Sequence, residues 1–296
     1  MLYLVIFVFP ILIYSQVLDT DLSDGLNAEG VSIKYLEGSS EPFKGHVFNY
    51  YPNGNRELKG NYSRGLKEGK WVWWYPDGEK NKTGYYVRSL EDSIWQWWFK
   101  NGQLMKRGKY KKGKKEGRWS EWYEDGTLAN SFGYINDKPN GKCLKKFANG
   151  EKQIEIMYNY GMKSGIEKEW SENGIPVYEN NWKDGLKDGA QIIWAGNGLI
   201  LSKHRYSKGM LHGEYIDYYK SGQKSIVGNY RFGKKHGTWT YSYKDGVVAL
   251  SGNYRNGDPK GSWFWIRANK SEMVNVDDPD KDWVTKRIRE WERIYN

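Results

Sequence analysis

The sequence predicts an all-β protein, an elongated single-sheet repeat of antiparallel hairpins that ends in a short C-terminal capping helix. Three observations predict this fold class. Glycine recurs every 24 residues, and in each copy a second glycine lies nine positions after the first. The segments between these glycines are rich in Trp and Tyr. A fixed period of this length is typical of proteins in which each copy completes the packing of its neighbours.

The first glycine of the repeat keeps one register without insertion or deletion. It lies at Gly45, Gly69, Gly117, Gly141, Gly165, Gly189, Gly213, Gly237 and Gly261, with Ser93 in the remaining position. Residues 45–261 are therefore predicted to hold nine full copies of 24 residues and to enter a partial tenth. Places within a copy are counted from this glycine as the first.

Glycine chemistry predicts two turns in each copy. The glycine at the tenth place follows Asn or Asp in eight copies and Ser221 in the other. Because Asn, Asp and Gly tolerate positive φ, these dipeptides predict hairpin turns. In Tyr51-Pro52-Asn53-Gly54, the proline fits the first corner of a type I turn, and the glycine fits the bulge position that follows. Glycine at the twenty-first place, as in Gly65, predicts the turn into the next copy.

Aromatic residues alternate along the strands between these turns. The third place holds Trp71, Trp95, Trp119, Tyr215 and Trp239, and the seventh holds Tyr51, Tyr75, Phe99, Tyr123, Phe147, Tyr219 and Tyr243. The return strand carries Tyr62, Tyr86, Tyr110, Tyr134, Tyr158, Trp182, Tyr206, Tyr230 and Tyr254 at the eighteenth place. Since side chains alternate with a period of two, the third and seventh places share one face, on which stacked rings are predicted to form ladders.

A further aromatic row lies at the sixth place, which the same period puts on the opposite face. Its members are Tyr50, Trp74, Trp98, Trp122, Trp170, Trp194 and Tyr218. Rings on both faces indicate either that the sheet curls and partly covers both faces, which is the usual role of such columns, or that one row is open to a ligand.

The two ends differ from the copies, as the caps of a repeat array do. Residues 16–44 form an N-terminal cap region, in which residues 31–36 are an expected opening strand. In residues 262–296 we expect a final strand over residues 263–266, a turn at residues 277–280 and a helix capped by Asp282. Trp283, Val284, Ile288, Trp291 and Tyr295 line one side of this helix. The helix is expected to cover the last sheet edge.

The first fifteen residues carry no charged side chain and are mainly apolar. They match the apolar region of a secretory signal, with Ile13 and Ser15 suited to the positions before a cleavage at Gln16. Residues 1–15 are therefore interpreted as a signal peptide, which indicates export to the periplasm, the outer membrane surface or the extracellular space. The alternative is a cytoplasmic protein in which this segment is a buried strand.

The chain carries a formal charge of +10, densest in one basic stretch. The stretch comprises Lys106, Arg107, Lys109, Lys111, Lys112, Lys114, Lys115 and Arg118. It is either a site for an anionic membrane or another polyanion, or a solvated edge that keeps an aromatic sheet soluble. No nucleic-acid motif accompanies the charge, so we expect no nucleic-acid partner. The lone Cys143 excludes an internal disulfide.

The pattern of residues 69–78, Gly-Lys-Trp-Val-Trp-Trp-Tyr-Pro-Asp-Gly, and of residues 213–222 resembles the MORN repeat. It is similar above all to the bacterial MORN-variant family that is often labelled as the antitoxin of a toxin-antitoxin system. The resemblance covers residues 45–261 and implies a β-repeat that binds proteins or membranes, with no motif-level activity. The copies from Gly141 to Gly198 depart most, with Cys143, Glu167 and Gln191 at the third place, which favours a looser ladder or one adapted to a partner.

No nucleophile elbow, phosphate loop or metal signature occurs, so we expect no catalytic residues, cofactor or metal. The leading hypothesis is a non-enzymatic scaffold that mediates protein–protein interaction in the cell envelope, with edge-mediated self-association as a further possibility. The alternatives are a glycan-binding surface protein that uses the sixth-place row and a binder of anionic membrane surfaces. A cytoplasmic antitoxin rests on the family label alone.

Overall fold

A computed structural model describes residues 17–267, 270–276 and 281–295. The predicted signal peptide and the predicted turn at residues 277–280 lie outside this range. The chain divides into two compact units. The first comprises residues up to 116 together with 124–126, and the second comprises residues 117–123 and those from 127 onward. Both are built from β-hairpins, so the predicted all-β class is confirmed.

The first unit begins with an N-terminal cap. A short strand pairs in parallel with the first strand of the repeats, a 3-10 helix spans Asp19–Asp21, and the next two strands form a separate hairpin. The remaining strands pair antiparallel. Their bounds are β1 Val17–Leu18, β2 Leu22–Leu26, β3 Ser32–Leu36, β4 Gly45–Tyr50, β5 Arg56–Ser63, β6 Leu66–Lys67, β7 Gly69–Trp74, β8 Lys80–Val87, β9 Leu90–Trp98 and β10 Leu104–Lys111.

The second unit continues the same pattern of antiparallel pairs and ends in the helix. Strand β11 carries the boundary between the units. The bounds are β11 Lys114–Trp122, β12 Leu128–Ile135, β13 Lys138–Pro139, β14 Gly141–Lys146, β15 Lys152–Asn159, β16 Met162–Trp170, β17 Pro176–Lys183, β18 Leu186–Trp194, β19 Ile200–Ser207, β20 Met210–Tyr218, β21 Lys224–Arg231, β22 Lys234–Ser242, β23 Val248–Arg255, β24 Asp258–Arg267, β25 Lys270–Val276 and α1 Lys281–Tyr295.

Both predicted turns have the expected backbone conformation. Gly54 has a φ of +84°, and its amide donates to the carbonyl of Tyr51 at 2.8 Å, which closes the first hairpin. In the second turn, Arg64 and Gly65 have φ values of 51° and 72°. Two successive positive φ values match the right-handed twist of the flanking strands. The alternation of turns therefore follows from the glycine register.

We call the copies with a third-place tryptophan the regular copies. In their core, the indole of this tryptophan packs directly against a glycine of the neighbouring strand, which we call its seat. The indole of Trp71 lies on Gly60 and that of Trp95 on Gly84, and a Cβ on either glycine would overlap the ring. In the second unit Trp239 lies on Gly228 in the same way. Trp71 and Trp239 are almost fully buried. A sixteenth-place glycine thus provides the seat for the third-place tryptophan of the next copy.

The C-terminal helix packs on a sheet face, and the expectation that it covers a sheet edge is wrong. Val284 and Trp291 are buried against a cluster that includes Tyr241 and Trp265. The Trp291 indole N–H donates to the Ser242 carbonyl at 3.1 Å. This position follows from chemistry, because the apolar side of the helix needs an apolar surface, which the aromatic face supplies and an edge of backbone groups does not.

Two details of the C-terminal region differ from the sequence analysis. Strand β25 pairs with β24 and was not expected. Asp282 lies within the first turn of α1, whose first residue is Lys281, and so does not precede the helix as an N-cap. Its carboxylate is still favourably placed, since negative charge near a helix N-terminus is stabilising.

Candidate functional site

The sixth-place row lies on the face opposite the aromatic ladder, as the alternation predicts. In the first unit, Trp74 lines a groove together with Val72 and Lys70, while Trp71 and Trp73 pack in the ladder on the other face. Tyr50 is 40% exposed, and the other members are half-buried. The row therefore offers partly accessible rings that the ladder does not use.

The row is divided between the two units. The first unit holds Tyr50, Trp74 and Trp98, and the second holds Trp122, Trp170, Trp194 and Tyr218. Cations approach some of these rings: the Arg56 guanidinium lies 5.7 Å from the Trp74 ring centre, and the Lys152 ammonium lies 5.6 Å from that of Trp170. Whether the row binds a ligand stays a prediction.

Seventh-place tyrosines fix the backbone of this row. The Tyr51 hydroxyl donates to the Trp74 carbonyl at 2.8 Å, and the Tyr75 hydroxyl donates to that of Trp98 at 2.8 Å. In the second unit Tyr123 makes the equivalent bond to the Lys146 carbonyl. Each bond reaches from one copy to the sixth place of the next. These tyrosines therefore hold successive copies in register, and their hydroxyls are occupied.

The ladder face contains a second tryptophan place that the sequence analysis missed. Trp73, at the fifth place, stacks between Trp71 and Trp95, with ring centres 5.7 and 5.9 Å apart. Trp97 continues the stack at 5.8 Å from Trp95. Tyr86, from the return strand, meets Trp95 edge-on at 5.1 Å. The period-two alternation that placed the third-place rings could have found the fifth, since both lie on one face of the same strand.

Lysines at the twenty-third place also belong to the ladder face. The Lys67 ammonium lies 4.5 Å from the Trp71 ring centre, and the Lys235 ammonium lies 4.3 Å from that of Trp239. Burial lowers the pKa of both ammonium groups, and it raises the pKa of the neighbouring Tyr86 to about 12. These cations stack on rings in partly desolvated surroundings, where cation–π attraction is strongest.

In the middle copies and the copy that follows them, polar side chains replace parts of the tryptophan-on-glycine core, which bears on the expectation of a looser ladder. Glu167, 5% exposed, accepts from the Lys163 ammonium and from the Trp182 indole N–H, each at 2.8 Å. His204, which stands where regular copies have the seat glycine, stacks on Tyr215 with ring centres 3.9 Å apart. The ladder here is hydrogen-bonded rather than loose.

The basic stretch does not form one surface. In the first unit, Arg107, Lys109, Lys111, Lys112 and Lys114 are exposed. Lys106 and Lys115 are half-buried, and the Lys106 ammonium lies 5.6 Å from the Trp97 ring centre, on the ladder face. Arg118 belongs to the second unit, where it contacts the Ser131 hydroxyl at 3.4 Å. A polyanion site at the stretch stays a prediction.

A groove in the first unit was not predicted from sequence. It measures about 520 Å³ and lies on the sixth-place face of copies one and two. Its lining residues are His46, Arg56, Lys59, Gly60, Asn61, Glu68, Gly69, Lys70, Val72 and Trp74. A usable signal existed, because Lys59 and Lys70 stand where the next copy has Thr83 and Ile94.

No group of three or more His, Cys, Asp and Glu side chains in residues 17–267, 270–276 and 281–295 is arranged to hold a metal ion. Within the same ranges, no helix has both the length and the apolar character needed to cross a bilayer.

The family assignment agrees with the repeat fold. The model of the MORN repeat variant matches residues 44–64, 67–88, 91–112, 115–136, 163–184 and 235–256. The chain is a repeat protein of all-β hairpins, and it belongs to the MORN repeat variant family. MORN repeats are generally linked to protein or membrane interactions, and their fold is typically non-catalytic. Three copies between residues 137 and 234 are unmatched, and two of them carry Cys143 and Gln191 in place of the third-place tryptophan.

No curated protein is similar enough to this chain to count as a match. Among solved structures, the chain is similar to a porin-like protein from Bacteroides uniformis ATCC 8492, with 8% sequence identity and a TM-score of 0.16. The similarity covers 81% of this chain and 91% of the other. A likeness at this level carries no argument about fold or function.

Proposed function

We propose that this protein is a non-enzymatic scaffold of the cell envelope that binds a protein partner through the face carrying the sixth-place aromatic row. One observation carries the proposal. The row supplies half-buried Trp and Tyr rings on the face opposite the packed ladder, where they are not needed to build the core. Trp, Tyr and Arg are the residues that dominate the energetics of protein interfaces.

Export is supported by the sequence alone. The uncharged, apolar residues 1–15 fit a secretory signal, and processing would leave Gln16 at the N-terminus. We expect the mature protein to fractionate with the envelope and to begin at Gln16. We also expect that deleting residues 1–15 leaves it in the cytoplasm. Cytoplasmic full-length protein with an intact Met1 would contradict the envelope location without affecting the binding proposal.

Crosslinking in intact cells followed by purification tests the binding. We expect a specific envelope protein to be captured by the wild-type chain and at least tenfold less by the double variant Trp170→Ala/Trp194→Ala, both in the second unit. Phe232→Ala in the same unit is the matched control. Phe232 is 60% exposed but lies at a second turn, outside the row, so its loss should leave capture unchanged.

The variants must first be shown to fold, by comparing their circular dichroism and melting temperature with those of the wild type. If the folded double variant captures the same protein as strongly as the wild type, the row is not the interface. Tryptophan quenching by polysaccharides, with no protein captured, would replace the proposal with glycan binding.

A further inference from the structure

We propose that the groove of the first unit is a receptor for an acidic peptide segment, in which two carboxylates flank an apolar side chain. This inference rests on the proposed function, since it names the chemistry by which the partner is recognised. It also assigns recognition to residues outside the sixth-place row, namely His46, Arg56, Lys59 and Lys70.

The rim of the groove is cationic. Arg56, Lys59 and Lys70 are exposed, and among the described residues none of the three forms an ion pair. Glu68 is the acidic residue of the lining, and its carboxylate accepts from the Arg88 amide at 3.0 Å, so it is used by a turn. The groove therefore keeps a net positive charge, because three cations stand against one carboxylate, and complementary charge on a partner would both steer and orient it.

The floor of the groove is apolar. Val72 and Trp74 contribute carbon surface, and Gly60 and Gly69 leave the backbone without side chains between them. About 520 Å³ is within the usual range of binding clefts and accommodates a few residues of peptide. An apolar side chain fits this floor, while carboxylates on either side reach the cationic rim.

The position of Arg56 favours a peptide over a sugar. Its guanidinium lies 5.7 Å from the Trp74 ring centre and 5.2 Å from that of Phe48, so it covers part of the ring surface on which the flat face of a sugar would stack. Held there, the guanidinium can present its fork of N–H donors to a carboxylate. The concave shape also suits a narrow segment better than the flat surface of a bilayer.

The next copy shows that this chemistry is local. Its equivalent residues are Lys80 for Arg56, Thr83 for Lys59, Tyr85 for Asn61 and Ile94 for Lys70. Ile94 and Tyr85 are each 43% exposed. Two of the three rim cations are thus replaced by uncharged residues one copy further along, which makes the groove of copies one and two distinct.

Fluorescence polarisation of a labelled peptide, Gly-Glu-Leu-Asp-Gly, against the full chain tests the proposal. We expect saturable binding that weakens with salt, and at least tenfold weaker binding by Arg56→Gln/Lys70→Gln. Lys80→Gln/Lys100→Gln removes the same charge from the same unit outside the groove and should change binding less than twofold. Because Arg56 also packs on rings, Lys59→Gln/Lys70→Gln provides a second variant that leaves Arg56 in place.

Several outcomes would overturn the proposal. If the groove and control variants lose the same amount of peptide affinity, binding depends on the overall charge of the chain and not on the groove. If the peptide Gly-Gln-Leu-Asn-Gly binds as tightly, the carboxylates do not contribute to recognition. Binding of heparin or of phosphatidylglycerol vesicles without binding of the peptide would assign the groove to a glycan or a membrane. If the groove variants still capture the envelope partner in cells, this inference fails while the proposed function stands.

Discussion

Regular and middle copies of the second unit fill the same core position, between the third and sixteenth places of neighbouring strands, with different side chains. In the regular copies Trp239 lies on Gly228, and the indole fills the space that the glycine leaves. In the middle copies the equivalent pairs are Glu167 with Ile156, which are both buried, and Tyr215 with His204, which lie opposite each other on neighbouring strands. Neither residue of a pair can be exchanged alone. A tryptophan at the third place needs a glycine opposite it, and a larger residue at the sixteenth place needs a smaller or flatter side chain opposite it.

The two kinds of copy share their backbone and differ in the side chains of their core. The backbone register is kept in every copy, since turn glycines and strand pairs continue through residues 141–218. The side chains of the core are free to change as pairs. Burying the Glu167 carboxylate is costly unless it is paired, and the Lys163 ammonium and the Trp182 indole supply that pairing.

The largest expected effect is the loss of a glycine seat. Gly228→Ala places a methyl group into the Trp239 ring, which must shift within a packed cluster. We expect a loss of about 3 kcal/mol in the free energy of unfolding, measured by urea denaturation. Gly196→Ala is the matched control, because a Cβ there meets nothing within 4 Å. Equal losses in the two variants would refute the seat model.

A smaller loss in the free energy of unfolding is expected when the ion pair between Lys163 and Glu167 in the middle copies is broken. Lys163→Met leaves the buried Glu167 carboxylate without its cation, and since the Lys163 side chain is 34% exposed we expect a loss of about 2 kcal/mol. Lys168→Met removes a lysine of the same strand whose pair with Glu179 is more exposed, and should cost less than about 0.5 kcal/mol. Denaturation of both variants at neutral pH compares them. Indistinguishable variants would mean that Glu167 is not held by charge.

The seventh-place tyrosine hydroxyl, which bonds to the next copy, is expected to contribute less to the free energy of unfolding than the Lys163–Glu167 pair. Tyr123→Phe leaves the Lys146 carbonyl without its 2.8 Å donor and should lower the free energy of unfolding by about 1 kcal/mol. The middle copies have Phe147, Ser171 and Ala195 at this place. Phe147→Tyr should therefore add stability if its hydroxyl reaches the Trp170 carbonyl. A gain in stability for Phe147→Tyr and a loss for Tyr123→Phe would together show that this hydrogen bond stabilises neighbouring copies.

The smallest expected effect is a gain in stability at Ser93, the one position of the 24-residue register where the first-place glycine is absent. Ser93 has a φ of 60°, a conformation that disfavours side chains. Ser93→Gly should raise the free energy of unfolding by about 0.5–1 kcal/mol, measurable as a rise in melting temperature. Ser89→Gly is the comparison variant, because the Ser89 hydroxyl accepts from the Lys67 amide at 2.9 Å and its loss offsets the relief. A destabilised Ser93→Gly would contradict this account.

Much of the fold could be predicted because its causes are local. Positive φ at Gly54 and Gly65 is a property of a few neighbouring residues, and a period of two assigns Trp71 and Trp74 to opposite faces. The seat of Trp71 on Gly60 was missed, because it joins residues of different strands. The groove was missed for the same reason, as Arg56, Lys59, Lys70 and Trp74 meet only once two copies are paired.

Four features follow from short-range conformational preference and could be predicted from the amino-acid sequence: the 24-residue register, both turns, the strand alternation and the presence of a C-terminal helix. Packing between strands sets which rings touch, places the helix on a face rather than an edge, and determines which core side chains of the middle copies change together. Those outcomes depend on which side chains meet across strands, where shape and hydrogen-bond partners from distant positions must fit at once.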